Sequence, residues 1–409
     1  MFRIVLVTSN YWPEPTGIAI YTTDLAESLS GQGHQVLVLT GLPHYPWWKV
    51  PSDFAYNGEE IVTHNAISII RAKHLVPPKM NALLRMRFEA SLWWNLWLVS
   101  KKILGHNFDV VIACIPTVAS GIVGKAIAKK LGIPFGLIVQ DLSGAGAKQS
   151  GLRGGVATSK IANLVETKVL RSADALVVIS PAMKDIILEL GVPAARVTQI
   201  NNYSARPIAT LDKTLARAKF GWASDDFIVI HTGNMGAKQD LENVVRAADS
   251  LVKYSHIKIY LVGHGNQEAN LKVLCEGKNN IAYMPAVSDE DYSALLSAAD
   301  LLLVNERSTQ MEMSLPSKLT SYLYSQRPVI AAIPRFGATW KFLEGIAERL
   351  DAGKPELLAQ AIEELSRDPE KRLELASRGF EFARAHLDPE IGRHKYLDWV
   401  NMLIESKHV

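Results

Sequence analysis

The sequence predicts an α/β protein made of two Rossmann-like domains, each a parallel sheet covered by helices, with the two sets of loops facing each other across a cleft. Three observations carry this. Short runs of Val, Ile and Leu alternate with helical patterns along the chain; the alternation pauses once, near residue 204, and restarts; and each half contains a strand, a glycine-bearing turn and a helix start in succession. Continuous apolar strands separated by helices belong to parallel sheets buried on both faces.

In the first half the runs cover residues 4–8, 35–40, 67–71, 110–115, 135–139 and 175–180. The opening run is too short for a secretory signal, lacks a small-residue cleavage site and passes into Asn10 and Pro13, so it reads as a buried first strand. At Asn201-Asn202-Tyr203-Ser204 the pattern stops, and residues 205–223 carry a proline and charges without a strand, which places the linker there. The alternation resumes at 227–231, 257–262, 281–284, 301–305 and 329–333. The tail, 354–409, reads as helical throughout, with Pro389 marking a break before a last helix bearing Tyr396, Trp399 and Leu403. The expected domains are 1–204 and 205–385, with the last helix, about 386–409, returning to the first.

The chain has 409 residues, 48% hydrophobic and 21% charged, which excludes disordered and collagen-like classes and leaves room for two domains of about 200 residues each. A net charge of only +3 gives no reason to expect a nucleic-acid partner. Cys114 and Cys275 are far apart in apolar or helical contexts, as expected of reduced thiols in a cytoplasmic protein, and no metal site is expected. No apolar stretch reaches the roughly 18 residues of a membrane-spanning helix.

The nearest is residues 92–99, which contain Trp93, Trp94 and Trp97, follow Lys79, Arg85 and Arg87, and precede Lys101 and Lys102. Two readings stand. Either the tryptophans pack on a sheet as part of a core helix, or the helix lies on an anionic membrane surface with basic residues at its ends.

Ligands of parallel α/β sheets bind beyond the carboxyl ends of the strands. After the first strand comes Asn10-Tyr11-Trp12-Pro13-Glu14-Pro15-Thr16-Gly17-Ile18, where Gly17 would let backbone amides approach an anion or would serve a structural turn. After the run 227–231 comes Gly233-Asn234-Met235-Gly236-Ala237-Lys238-Gln239, then a helical pattern from Leu241. Backbone N–H groups, a helix start and the Lys238 charge make that turn a candidate anion site. Neither loop has the dinucleotide spacing G-x-G-x-x-G, and Gly263-His264-Gly265-Asn266-Gln267-Glu268 lacks its third glycine, so a nicotinamide cofactor is not expected.

With Gln32-Gly33-His34-Gln35-Val36, Pro43-His44-Tyr45-Pro46, Tyr21-Thr22 and Leu315-Pro316-Ser317-Lys318-Leu319, these segments resemble the retaining family 4 glycosyltransferases of the GT-B fold, in particular the colanic-acid-type branch that builds bacterial surface polysaccharides. The resemblance implies transfer of a sugar from a nucleotide-sugar donor, GDP- or UDP-linked, to an acceptor hydroxyl, with configuration retained, no metal and no cofactor. The second domain would hold the donor through Gly17 of the opposing loop, Asn234, Gly236, Lys238, Ser314, Leu315, Ser317 and Lys318. The first would hold a glycan or polyprenyl-diphosphate-linked acceptor, with Tyr21, Arg85, Arg87, Trp93, Trp94 and Trp97 as acceptor- or membrane-facing candidates at the inner face of the plasma membrane. Ser317 alone could also be a helix cap. Asp141 stands in the reaction centre by the same comparison, orienting a sugar hydroxyl or capping a turn, and Gln140 occupies a position where histidine is common. Lys238 would meet the charge that develops on the leaving diphosphate.

One departure is plain. Many relatives carry two glutamates eight positions apart, the second on the ribose, and counting back from Arg327-Pro328-Val329 those positions are Met313 and Ser321. Glu306 and Glu312 stand nearby as substitutes. The departure also admits a catalytically inactive GT-B partner that only binds glycan or nucleotide, and the fold itself admits a nucleotide-sugar hydrolase or epimerase.

Overall fold

The computed structural model describes residues 1–15, 17–54, 61–78, 81–142, 156–203, 208–309 and 315–405. The chain divides into two compact units, Met1–Ala205 with Pro389–Val409, and Arg206–Asp388.

The first unit is built on β1 (Arg3–Val7), β2 (Gln35–Gly41), β3 (Ile61–His64), β4 (Ile67–Ala72), β5 (Val110–Ile115), β6 (Phe135–Val139), β7 (Ala175–Val178) and β8 (Val197–Gln199), in the order β3-β4-β2-β1-β5-β6-β7-β8. Every residue of β5 and β6 is buried, as continuous apolar runs require. All neighbours are parallel except β3, which pairs antiparallel with β4. The edge strands β3 and β8 lie outside the predicted set. β3 alternates between exposed and half-buried positions, and β8 has three residues, so neither carries a continuous apolar run.

The final helix, Pro389–Glu405, belongs to this unit: Tyr396, Trp399, Val400, Leu403 and Ile404 enter its core. Gly136 in β6 admits it, since a Cβ there would stand 2.6 Å from both Leu403 and Trp399. Arg393 grips Asp24 with two nitrogens, at 2.6 and 3.2 Å, and the Tyr203 hydroxyl donates to the same carboxylate at 2.6 Å. The preceding tail is not one run of helix. Pro369 as well as Pro389 begins a new helix, giving Pro355–Arg367 and Pro369–His386 before the last, because proline is accepted in a helix's first turn and not within it.

The second unit carries β9 (Phe227–Asn234), β10 (Ile257–His264), β11 (Ile281–Met284), β12 (Leu301–Asn305), β13 (Val329–Ile333) and β14 (Glu348–Asp351), all parallel, in the order β11-β10-β9-β12-β13-β14. β14 was not expected, being a half-buried edge strand with charges at three of its four positions. Strand order reverses at β9 and β12, and in the first unit at β1 and β5. Such switch points open a crevice at the carboxyl ends of the strands. The helix Lys213–Phe220 is tied beneath this sheet by Asp300, which accepts from Arg217, Lys213 and the Ile228 amide, the last at 2.7 Å.

Cys114 and Cys275 are free and buried, and burial pushes the Cys114 thiol well above its usual pKa. Among the described residues no helix is long and apolar enough to cross a membrane.

Candidate functional site

The turn after β9 is set by close backbone packing. β9 and β10 stay in register from Phe227 beside Ile257 to Asn234 beside His264. At the end of the pair a Cβ on Gly263 would meet the Gly233 carbonyl oxygen at 1.9 Å, and one on Gly265 would meet the Met235 oxygen at 2.5 Å. Gly233 itself has φ 107°, a region that favours glycine. The glycines of 263–265 therefore let β10 press against the Gly233 turn. The Met235 amide donates to His264 O and the Gln267 amide to Met235 O, at 2.8 and 2.9 Å.

Beyond Gly236 the chain makes one 3-10 turn, Ala237–Gln239, and Asp240 in the left-handed region leads into the helix Leu241–Ser250. Asn305 at the end of β12 holds this bend from below, donating to the Gln239 and Asp240 carbonyls at 2.7 and 3.0 Å while accepting from Asn243 at 2.9 Å. Asn234 and Lys238 remain exposed, and Gly236 is buried. The Arg307 amide donates to the Lys238 carbonyl at 2.8 Å, and Arg307 lines a small cavity with Gly236, Ala237 and Asp240.

The second motif arrives at the same turn. In the helix Lys318–Tyr324, Lys318 and Tyr322 are four residues apart and so share a face. The Tyr322 hydroxyl accepts from the Thr232 amide at 2.7 Å. The Lys318 Nζ lies 3.0 Å from His231 Nε2, and its Cε and Nζ stand 3.6 and 3.7 Å from where a Gly233 Cβ would be. His231 is fully buried, with Nδ1 3.0 Å from the Leu303 carbonyl. Burial first, and the Lys318 charge second, hold its pKa well below the usual histidine value. The ring is therefore neutral, donating from Nδ1 to Leu303 and accepting at Nε2 from the ammonium.

In the first unit the loops beyond β1 and β2 are fastened by Glu14. Its buried carboxylate accepts from the His44 and Tyr45 amides at 2.7 and 2.9 Å and from Asn10 Nδ2 at 2.8 Å, while burial raises its pKa. Gly17 has φ 70°, and an added Cβ would meet the Tyr45 ring at 3.0 Å, so packing in this unit already requires glycine there. Asp141, just past β6, is exposed and accepts from the Leu142 amide at 2.8 Å. Gln140 is buried and exchanges two hydrogen bonds with Asn202, at 3.1 and 2.9 Å.

Two family descriptions match the chain, Glycosyl transferase 4-like domain over residues 16–203 and Glycosyl transferases group 1 over residues 212–382. WcaI of Escherichia coli strain K12, named for a glycosyl transferase of colanic acid biosynthesis, is 30% identical over 335 residues, covering 78% of this chain and 81% of that one. The chain belongs to the family 4 glycosyltransferases. Among solved structures, sucrose-phosphate synthase from Thermosynechococcus elongatus superposes with a TM-score of 0.77 at 18% identity, over 99% of this chain and 100% of that one. HepE of Anabaena, in complex with UDP, gives 0.69 at 15% identity over 98% and 100%. These likenesses establish the GT-B fold for this glycosyltransferase.

The remaining sequence candidates of the glycosyltransferase differ in their surroundings. Ser314, with Glu312 and Met313, lies outside the described residues. Leu315 is half-buried, and Ser317 is exposed at the N-cap position of its helix, where its side chain makes no cap bond. Ser321 is half-buried, and Glu306 is buried directly after β12, its amide bonded to Ala332 O at 3.0 Å. Sequence reasoning missed His231, read only as the end of an apolar strand, and Arg307. A histidine closing the run Phe227-Ile228-Val229-Ile230 was the available signal for the first, since a buried polar ring needs partners.

The helix Ala82–Ser100 answers the tryptophan question by faces. Asn81 caps it through the Leu84 amide at 2.9 Å, and Phe88, Leu92, Leu96 and Val99 point inward. Trp93 and Trp94 are 40% and 53% exposed, alongside exposed Leu83, Met86, Arg87 and Leu98. The tryptophans are thus not this helix's core contacts. Trp97 is half-buried with the Lys130 ammonium 4.8 Å from its ring centre. Arg85 pairs with Glu89 at 3.1 Å, and Tyr21, on the helix Ile18–Gly31, stands edge-on to Tyr203.

Proposed function

We propose that this glycosyltransferase moves a sugar from a nucleoside-diphosphate sugar to a hydroxyl of a lipid-linked glycan during assembly of a bacterial surface polysaccharide, with retention and without a metal ion. The observation that carries the reading is the convergence of the Lys318 ammonium on the Gly233 turn, which also bears Asn234, Gly236 and Lys238. Two cations and a glycine turn at a switch point suit a diphosphate. When the bond from the anomeric carbon to phosphate breaks, charge grows on the diphosphate, and preplaced lysines stabilise that charge more than they stabilise the ground state. Lys238 and Lys318 take that role in place of a metal.

In the first unit, Asp141 and the Gln140–Asn202 pair are assigned to orienting sugar hydroxyls. The biosynthetic setting is supported by the name of the WcaI relative, and the donor class by the UDP complex of HepE. The apolar stripe of Leu83, Met86, Trp93, Trp94 and Leu98, with Arg87 beside it, is assigned to an anionic membrane surface where a polyprenyl-linked acceptor resides. Purified protein is incubated with a panel of GDP- and UDP-sugars and lipid-linked acceptors. Acceptor-dependent nucleoside diphosphate release is expected, and no release with any combination refutes the activity and favours the inactive binding partner admitted by Ser321. Lys238→Ala should weaken binding of the active donor by about tenfold, as loss of a charge-assisted hydrogen bond does.

A further inference from the structure

We infer that His231 is a positioning residue that holds the Lys318 ammonium over the Gly233 turn, where the donor's diphosphate is read; the inference rests on the donor site proposed above. Three features join here. His231 is fully buried in the strand that delivers the turn, and its ring is fixed by Nδ1 donating to the Leu303 carbonyl of the next strand at 3.0 Å. That bond leaves Nε2 as an acceptor, 3.0 Å from Lys318 Nζ. The end of Lys318 lies 3.6 to 3.7 Å from where a Gly233 Cβ would be, ordinary contact distance, so the ammonium stands directly beside the turn.

A lysine is a flexible chain that loses rotamer freedom when held. His231 is a neutral acceptor and takes none of that charge. A carboxylate in the same place would neutralise the field that an anion needs. A buried neutral imidazole, aimed by a backbone carbonyl, orients the ammonium without cancelling it. Tyr322, one turn on, bonds to the next residue of the same strand at 2.7 Å, so the helix Lys318–Tyr324 is registered on β9 at two successive positions. Direct contact with the donor belongs to Lys318, and His231 acts through it.

Two substitutions separate the ring's two bonds. His231→Asn keeps a donor near Nδ1 for Leu303 and loses the acceptor toward Lys318; His231→Gln keeps an acceptor near Nε2. Calorimetry with UDP, GDP, ADP and dTDP, on the full chain, gives the affinities, and thermal unfolding checks each variant. We expect His231→Asn to weaken the best-bound nucleoside diphosphate about tenfold, the scale of one hydrogen bond to a charged group. His231→Gln should recover most of that. In the double variant with Lys318→Ala the Asn substitution should add nothing, because a residue acting through another is not additive with it.

Additive losses, or equal losses in the Asn and Gln variants, overturn the positioning role while leaving the donor site standing. Unchanged affinity in Lys318→Ala, or no nucleoside diphosphate bound by the unaltered protein, overturns the donor site and the inference with it. If His231→Asn proves unfolded, His231→Ala takes its place as the variant without an acceptor: a loss there that His231→Gln does not show, and that vanishes beside Lys318→Ala, is the required pattern, and equal affinity in the Ala and Gln variants overturns the positioning role.

Discussion

Replacing Trp93 and Trp94 together by serine separates a lipid-facing role from a packing role, because the surrounding structure predicts opposite results for them. With 40% and 53% of these residues in solvent, about half of each ring is free of the protein and the rest still packs on it. A side chain of this type offers about 200 Å² of surface, so roughly 100 Å² per ring is free to enter lipid. At about 25 cal/mol per Å², that area is worth about 2.5 kcal/mol per ring, an upper bound of some 70-fold in partitioning. The double variant should therefore bind vesicles of phosphatidylglycerol and phosphatidylethanolamine at least about tenfold more weakly in a sedimentation assay. Its thermal unfolding should fall by several degrees while the protein stays folded at room temperature, where vesicle binding is read. Trp399→Ala is the control: that ring is 2% exposed, and its loss should cost about 3 to 5 kcal/mol. Vesicle binding that survives in a folded double variant refutes the lipid-facing assignment, and unfolding of that variant refutes the burial argument.

Other expectations follow from single contacts. Gly263→Ala places a Cβ 1.9 Å from the Gly233 oxygen and must displace the turn, so nucleoside diphosphate affinity should fall even in protein that circular dichroism finds folded. Asp300→Ala leaves the buried Arg217 guanidinium without its carboxylate and should lower the stability of the second unit by about 3 to 5 kcal/mol in urea titration. Burial lowers the pKa of His74 to about 4, below its ordinary value of 6.5, so the folded state resists a proton that the unfolded chain accepts. Stability is whole above pH 6.5 and declines as pH falls from there toward about 4; His74→Gln should flatten that slope. Glu14, whose carboxyl is pushed up by burial, works in the opposite sense, so the comparison must be made within one Glu14 background.

Much of the fold was legible because a strand buried on both faces must be apolar along its whole length. β5, β6, β9, β12 and β13 announce themselves that way. The edge strands β3, β8 and β14 escaped, since a strand with one open side can carry Thr63, His64, Gln199 or Arg349 without penalty. The same limit applies to the helix Ala82–Ser100. Its composition is apolar on both faces, and composition cannot say which tryptophan finds a sheet and which finds solvent.

The sequence by itself determined the architecture and the family, because periodicity, glycine turns and ordered motifs are local properties that a single chain displays. It also marked Lys238 and Lys318 separately, 80 residues apart in the chain. Tertiary structure alone decided that Lys318 reaches the Gly233 turn, that His231 is its acceptor, and that the glycines of 263–265 serve the turn by close approach. The reason is geometric: parallel strands bring their carboxyl ends together whatever their separation in sequence, so a helix following β12 can place a side chain on the loop following β9.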